Sequence, residues 1–236
     1  MCTEVGARTR TRSTEHGGCA TTERVTITWA CPISLSDYEA LGPQVPAPRL
    51  KCADCSRPLI FAGSSRREVR EAGVVHRIVV RRALCPTCGT SDALLGDFVL
   101  KRRKHSTSAV GAAVLEHAGM DVPAGSNELY RGVPPRTVRS WLARFAERAD
   151  ELRARFAALT VEWGGELPFT TPHDSTSQGR ALDAIGLAWR AARRRGRDVP
   201  AAWLLANVVV GSQLLATRVD LPWPIVPRLM GRSRSP

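Results

Sequence analysis

The chain has 236 residues, 43% of them hydrophobic, enough for one large or two small packed domains. Lys and Arg number 34 against 22 Asp and Glu, a net charge of +12, which directs attention to a polyanionic partner, nucleic acid before membrane. The most apolar run, residues 201–216, is 16 residues long and interrupted by Asn207, Ser212 and Gln213. That is too short for a bilayer span, so a soluble, cytoplasmic protein with no membrane partner is expected. Only three of the 34 cations are Lys, a skew that a GC-rich genome produces. The excess of base over acid therefore carries the argument, not the preference for Arg.

Residues 1–24 are rich in Thr, Arg, Glu and Gly with no apolar period and read as a disordered leader, or as an upstream extension from a misassigned start. Residues 25–29 alternate like a short strand. Ser36-Asp37-Tyr38-Glu39 reads as a capped helical turn, and Pro43, Pro46 and Pro48 make a stiff connector. Next come Cys52 and Cys55, a 29-residue gap, then Cys85 and Cys88. Two residues between cysteines let the chain fold back as a knuckle, and two knuckles supply four thiolates that close a structural Zn2+ site. In the second knuckle, Cys85-Pro-Thr-Cys88-Gly89, Pro86 presets a turn dihedral and Gly89 can take positive φ. Cys52-Ala-Asp-Cys55-Ser56 lacks that glycine and reads as the weaker half. Two disulfides or a redox C-x-x-C are the alternatives. Neither suits a chain without an oxidising-compartment signal or a βαβ context. Of the remaining cysteines, Cys2 and Cys19 fall in the leader, and Cys31 reads as a small core residue.

Between the knuckles, residues 58–62 and 74–82 read as strands around a polar turn at 63–73, so residues 25–100 are expected to form a zinc ribbon domain. With four thiolates filling the site, His76 reads as a structural or surface histidine. Lys101, Arg102, Arg103 and Lys104 follow, either a solvated linker or a phosphate-tracking segment. Ser106 is a candidate N-cap for a helix to about residue 117, and residues 126–130 suggest a short second helix. A long helix then opens at Pro134-Pro135, with Val138, Trp141, Leu142, Phe145, Ala149, Leu152, Phe156 and Leu159 on one stripe. Its opposite face near the start carries Arg136, Thr137, Arg139, Ser140 and Arg144. In a helix-turn-helix such a face meets base edges, and arginines fork onto guanine. The plainer alternative is an amphipathic helix with a solvated Arg face. Residues 101–160 are thus expected to form a helix-turn-helix-like domain. The long helix's second half should pack on the C-terminal region or on a second copy of the chain.

Residues 160–180 read as a linker, 181–196 as a helix with a basic end, and 201–216 as a buried helix. They make up a C-terminal helical region (161–220), which an irregular basic tail (221–236) follows. The expected fold class is α+β, mainly α.

The segment order resembles a family of actinobacterial proteins defined by a domain of unknown function, whose members look like the front half of insertion-sequence transposases. The resemblance rests on Trp29-Ala-Cys-Pro32 with Tyr38, both knuckles, Ala93-Leu-Leu95, Arg102-Arg103 and Val133-Pro-Pro-Arg-Thr-Val-Arg-Ser-Trp-Leu-Ala-Arg-Phe145, within residues 25–220. It implies a zinc ribbon, a helix-turn-helix and DNA binding by analogy, without a target.

The leading expectation is therefore a DNA-binding regulator or transposon-derived accessory factor. It would use structural Zn2+, bind double-stranded DNA and reside with the nucleoid, as a homodimer or with a transposase or regulatory protein. A zinc-ribbon adaptor without direct DNA binding is the alternative, as is a remnant transposase lacking its catalytic domain. An enzyme is not expected. After residue 160 the acids are Glu162, Glu166, Asp174, Asp183, Asp198 and Asp220, scattered where two-metal chemistry needs convergent carboxylates. His173-Asp174 in a Pro/Ser/Thr stretch reads as incidental. The chain also lacks the aromatic strand motifs of single-strand RNA readers.

Overall fold

A computed structural model describes residues 26–120, 122–167, 176–197 and 199–216. The leader, Cys2, Cys19, the His173-Asp174 pair, Asp198, Asp220 and the basic tail lie outside the described residues. The elements are β1 (Thr26–Trp29), α1 (Leu35–Leu41), β2 (Ile60–Glu71), β3 (Val74–Leu84), β4 (Ser91–Gly96), α2 (Thr107–His117), α3 (Pro135–Glu162), α4 (Ser177–Arg194) and α5 (Ala202–Val209). Short 3-10 helices occupy Gly42–Gln44 and Ser126–Tyr130. The fold is α+β, as expected.

The four strands lie in the order β1-β4-β3-β2, with β1 parallel to β4 and the other neighbours antiparallel. β2 and β3 form a long hairpin. The stretch 63–71, expected as a polar turn, is strand; the turn itself is Ala72-Gly73, both at positive φ (49° and 76°), the geometry that matches strand twist. The sequence hides this strand because β2 lies at the sheet's edge and fully buries only Val69. β4 has the opposite character. It is central, and Asp92, Leu94, Leu95 and Gly96 are all buried, so it shows no alternation either.

The helices follow their caps. Ser34 Oγ accepts from Asp37 N (3.1 Å) to start α1, two residues ahead of the expected turn. Ser106 Oγ accepts from Ala109 N (3.0 Å) to start α2. Thr176 Oγ1 accepts from Gly179 N (3.0 Å) and starts α4 earlier than residue 181. The α3 stripe is buried as expected at Val138, Trp141, Phe145, Ala149, Leu152, Phe156 and Leu159, with Leu142 half-buried. α5 stops short of residue 216 because Gly211 and Ser212 take left-handed φ (59° and 62°). The second half of α3 packs on α4. Gln178, at the start of α4, shares a cleft with Leu142 and Phe145, while a Cβ at Gly165 would stand 3.0 Å from Ala191. The two helices therefore run in the same direction.

Two apolar clusters form among the described residues. Cys31, Leu35, Tyr38, Val69, Ile78, Val80, Leu95, Phe98 and Val99 lie between sheet and α1, with Val45. A larger one joins α2 to α5. The chain crosses between them at one peptide bond: Val99 belongs to the first and Leu100 to the second. Hydrogen bonds clasp this crossing. The Asn207 amide donates to Asp97 O (2.7 Å), Val99 O (2.9 Å) and Thr107 Oγ1 (3.1 Å). Ser212 Oγ donates to Val99 O (3.0 Å) and lies 2.6 Å from Thr28 Oγ1. The Arg67 guanidinium donates to Leu100 O (2.6 Å) and to Arg103 O. The segment Lys101, Arg102, Arg103 and Lys104 is therefore a turn fixed between β2 and α5, not a free linker.

Candidate metal centre and basic surface

Two chain reversals build the candidate metal centre, and they repeat one another. In the first, Cys52 N donates to Arg57 O (2.8 Å) and Ser56 N to Cys52 O (2.9 Å). In the second, Cys85 N donates to Thr90 O (2.8 Å) and Gly89 N to Cys85 O (2.9 Å). The residue after each second cysteine is left-handed, Ser56 at φ 58° and Gly89 at φ 74°. The missing glycine thus leaves the fold of the first knuckle unchanged and loads the backbone strain onto Ser56.

All four Sγ atoms lie within 4.8 Å of one another. Cys52 and Cys88 are 3.5 Å apart, Cys55 and Cys85 3.4 Å, and Cys55 and Cys88 4.0 Å. Four sulfurs at about 2.3 Å from one ion would stand about 3.8 Å apart at the tetrahedral angle, so the spacing fits a single cation. A disulfide needs about 2.05 Å, and these cysteines are free. Cys52 and Cys85 are buried, Cys55 is half-buried and Cys88 exposed, so one side of the centre rests on the sheet and the other meets solvent.

The backbone already favours thiolate at one ligand. The N–H of Cys88, and less strongly that of Thr87, lowers the Cys85 thiol to about 6 despite desolvation. At Cys55 the Arg57 N–H pulls down, but the neighbouring Cys85 sulfur and burial prevail and the thiol rises to about 12. Cys85 is thus the thiol the fold disposes most to ionise; binding a divalent cation requires the other thiols to ionise as well. Outside the ligands, the Thr90 hydroxyl lies 3.2 Å from Cys88 Sγ and donates to Asp54 Oδ2 at 3.2 Å. Neither residue stands out in the sequence, where Thr90 is one threonine after a glycine. His76 is not a ligand: its Nδ1 pairs with Glu39 Oε2 at 2.8 Å, and Glu39 Oε1 accepts from Arg77 N.

The candidate DNA-contact residues lie on the first turns of α3 and on the turn at 101–104. At 3.6 residues per turn, Arg136, Arg139 and Ser140 share the face opposite the buried stripe of α3, with Thr137 and Arg144 on its flank. Arg136 and Arg139 are exposed; Thr137, Ser140 and Arg144 are half-buried. Arg102 and Lys104 are exposed, Lys101 and Arg103 half-buried. Burial and then the charge of Arg144 depress the Arg103 guanidinium below its ordinary value, which puts the turn at 101–104 beside the flank of α3. His105 stands edge-on to Trp141, ring centroids 5.0 Å apart. Elsewhere, Arg193 lies over the Trp189 ring (5.1 Å) and Arg197 over Trp163 (4.6 Å), so part of the basic end of α4 is engaged in cation–π contacts.

Residues 52–132 match the family described as Domain of unknown function (DUF6431). The match runs from the first cysteine through the hairpin, the second knuckle, α2 and the 3-10 helix, and ends before α3. No curated protein and no solved structure matches the chain. The likeness to a domain of unknown function therefore holds for the knuckles and α2, and nothing in these comparisons extends it to transposases. No helix among the described residues is long and apolar enough to cross a membrane.

Proposed function

We propose that the chain binds double-stranded DNA, as a regulator or transposon-derived accessory factor, with zinc held by Cys52, Cys55, Cys85 and Cys88 as a structural ion. Four sulfurs at near-tetrahedral spacing suit a soft-ligand site with no open coordination position, so the ion stabilises and does not catalyse. The observation that carries DNA binding is unneutralised charge. None of Arg136, Arg139 and Arg144 forms an ion pair among the described residues, and the charge of Arg144 adds to burial in depressing the Arg103 guanidinium. Folding that gathers like charges without acids to offset them fits a polyanion that supplies them.

In this reading α2, the 3-10 helix and α3 act as a helix-turn-helix. Arg136 and Arg139 face the major groove, Thr137, Ser140 and Arg144 line its edge, and Lys101, Arg102, Arg103 and Lys104 hold phosphates. The protein is then cytoplasmic, with the nucleoid, and not an enzyme. A second reading, a zinc-ribbon adaptor for another protein or for a second copy, draws on Ile60 and Phe61, 49% and 47% exposed beside the first knuckle.

The test is fluorescence anisotropy of the zinc-loaded chain on random duplex DNA across a salt series. Micromolar or tighter binding that weakens steeply with salt, and is lost in an Arg136→Glu, Arg139→Glu variant, is expected. Absence of binding at low salt would overturn the DNA reading and favour the adaptor.

A further inference from the structure

The hairpin holds a second set of cations that the helix-turn-helix reading does not use. Its register pairs Ser64 with Arg81, Arg66 with Val79, Glu68 with Arg77 and Arg70 with Val75. Paired residues share a face, and this is the face away from Val69, Ile78 and Val80. It therefore carries four arginines against one acid. Arg81 is engaged, donating to Pro43 O and lying 5.4 Å over the Phe61 ring. The guanidiniums of Arg66, Arg70 and Arg77 are exposed and make no hydrogen bond or ion pair among the described residues. Arg66 and Arg70, four residues apart on one strand, are separated by about 13 Å, close to the roughly 12 Å width of a duplex major groove. Arg77 sits on the neighbouring strand, across from the midpoint between them.

This face is not on a loose arm. Arg70 N donates to Lys104 O (2.6 Å), Ser106 N to Arg70 O (3.0 Å) and Ala72 N to Leu129 O (2.9 Å). The ribbon is thereby bonded to the 101–106 segment on one side and to the 3-10 helix that precedes α3 on the other. Burial, and then the charge of Arg70, depresses the His105 imidazolium, and His105 packs on Trp141 of α3. A polyanion lying on the start of α3 therefore meets a rigidly placed ribbon.

We infer that Arg66, Arg70 and Arg77 on the outer face of the β2–β3 hairpin form a second contact surface, which grips the phosphates of the same duplex that α3 engages. The inference rests on the duplex-binding reading. It assigns the ribbon end of the molecule a direct, sequence-independent share of the affinity.

The test compares three full-length, zinc-loaded chains on one random duplex: wild type, an Arg66→Gln, Arg70→Gln, Arg77→Gln variant, and Glu68→Gln. Each lost phosphate contact flattens the log–log salt dependence by about 0.9, so the triple variant should lose roughly 2 to 3 in slope and about tenfold or more in affinity. Glu68→Gln removes the acid that lies on this face between Arg66 and Arg70 and should tighten binding severalfold, which a merely misfolded ribbon would not do. A wild-type chain that binds duplex with a slope unchanged in the triple variant, or a Glu68→Gln chain no tighter than wild type, would overturn the inference and leave the role of α3 standing. A wild-type chain that binds no duplex takes both readings down. Preference for single-stranded RNA, again lost in the triple variant, would reassign the partner and overturn the duplex grip.

Discussion

The sheet half and the helical half of this chain are stabilised by different means. The cluster under the sheet contains ten buried residues among those described, and the helical cluster twenty-seven. Burial scales with that difference, so the helices can rely on packing while the far end of the sheet cannot. At that end the knuckles project beyond the apolar cluster, and four cysteines stand where side-chain packing runs out. The lesson is a division of labour: packing shapes the helices, while the knuckles gather four sulfurs that could hold a metal ion, and the two halves join across Val99 and Leu100.

The largest test of this division removes the metal. Structural zinc contributes on the order of 10 kcal/mol in isolated fingers. Chelation, or Cys85→Ser, should erase amide protection across residues 51–60 and 84–91 while α3 and α4 keep theirs. Hydrogen exchange of the chain with and without chelator measures it. Helices that lose protection together with the knuckles would mean the two halves are one cooperative unit.

The helical half is probed by overfilling it. Gly111 lies in α2, where an alanine would ordinarily stabilise by about 1 kcal/mol. Here a Cβ would come within 2.4–2.6 Å of the Trp203 ring, which in turn packs on Phe145 at 5.7 Å. Overpacking of this kind costs about 1–3 kcal/mol and outweighs the propensity gain. Urea denaturation of metal-loaded Gly111→Ala should show a net loss of up to about 2 kcal/mol. A net gain would mean the helical core is looser than its packing implies.

How much of each half was legible follows from the range of the forces involved. The knuckles were legible because two residues between cysteines is a local constraint. The α3 stripe from Val138 to Leu159 was legible because period 3.6 over 28 residues outruns chance. Only the start of β2 was; its continuation over 63–71 was not, because an edge strand with Val69 as its one fully buried residue writes no alternation. Neither was the clasp, since Asn207 meets Asp97 and Val99 more than 100 residues away. The same holds for Arg103 beside Arg144 and for the common direction of α3 and α4. Long-range pairings of polar groups leave no period in the chain.

The seam between the halves carries its own pH signature. Asp97 is 1% exposed, and neither carboxyl oxygen has a hydrogen-bond partner within normal geometry among the described residues. Burial lifts its pKa to about 7, with the nearby N–H groups of Cys31 and Phe98 offsetting only part of this. The folded state therefore keeps a proton that the unfolded chain releases near pH 4, and this term falls in stability as pH rises from about 4 to about 7, then levels. Asp97→Asn deletes the term. Its stability relative to wild type should improve by about 1.4 kcal/mol between pH 6 and pH 8, the worth of one pH unit inside that window. Paired denaturation curves at both pH values decide it, since contributions shared with wild type cancel. A constant difference would show that Asp97 is already ionised in the fold.

The smallest effect asks whether the two knuckles are equivalent beneath their different sequences. Ser56 and Gly89 hold the same left-handed backbone at the same point of the same hydrogen-bonded reversal. A Cβ at Gly89 would meet nothing within 4 Å, so glycine is favoured there by the dihedral alone. Left-handed backbone costs a non-glycine residue about 1–2 kcal/mol, and glycine's extra freedom in the unfolded chain takes back about half of any gain. Ser56→Gly should therefore stabilise the metal-bound form by about 1 kcal/mol, and Gly89→Ser should destabilise it by a similar amount. Because knuckle folding and metal binding are linked, both are readable as opposite shifts of about fivefold in the chelator concentration that strips half the metal. Should only Gly89→Ser move the midpoint, the first knuckle would be using its serine for something other than shape, and the exposed hydroxyl of Ser56 would be the place to look for it.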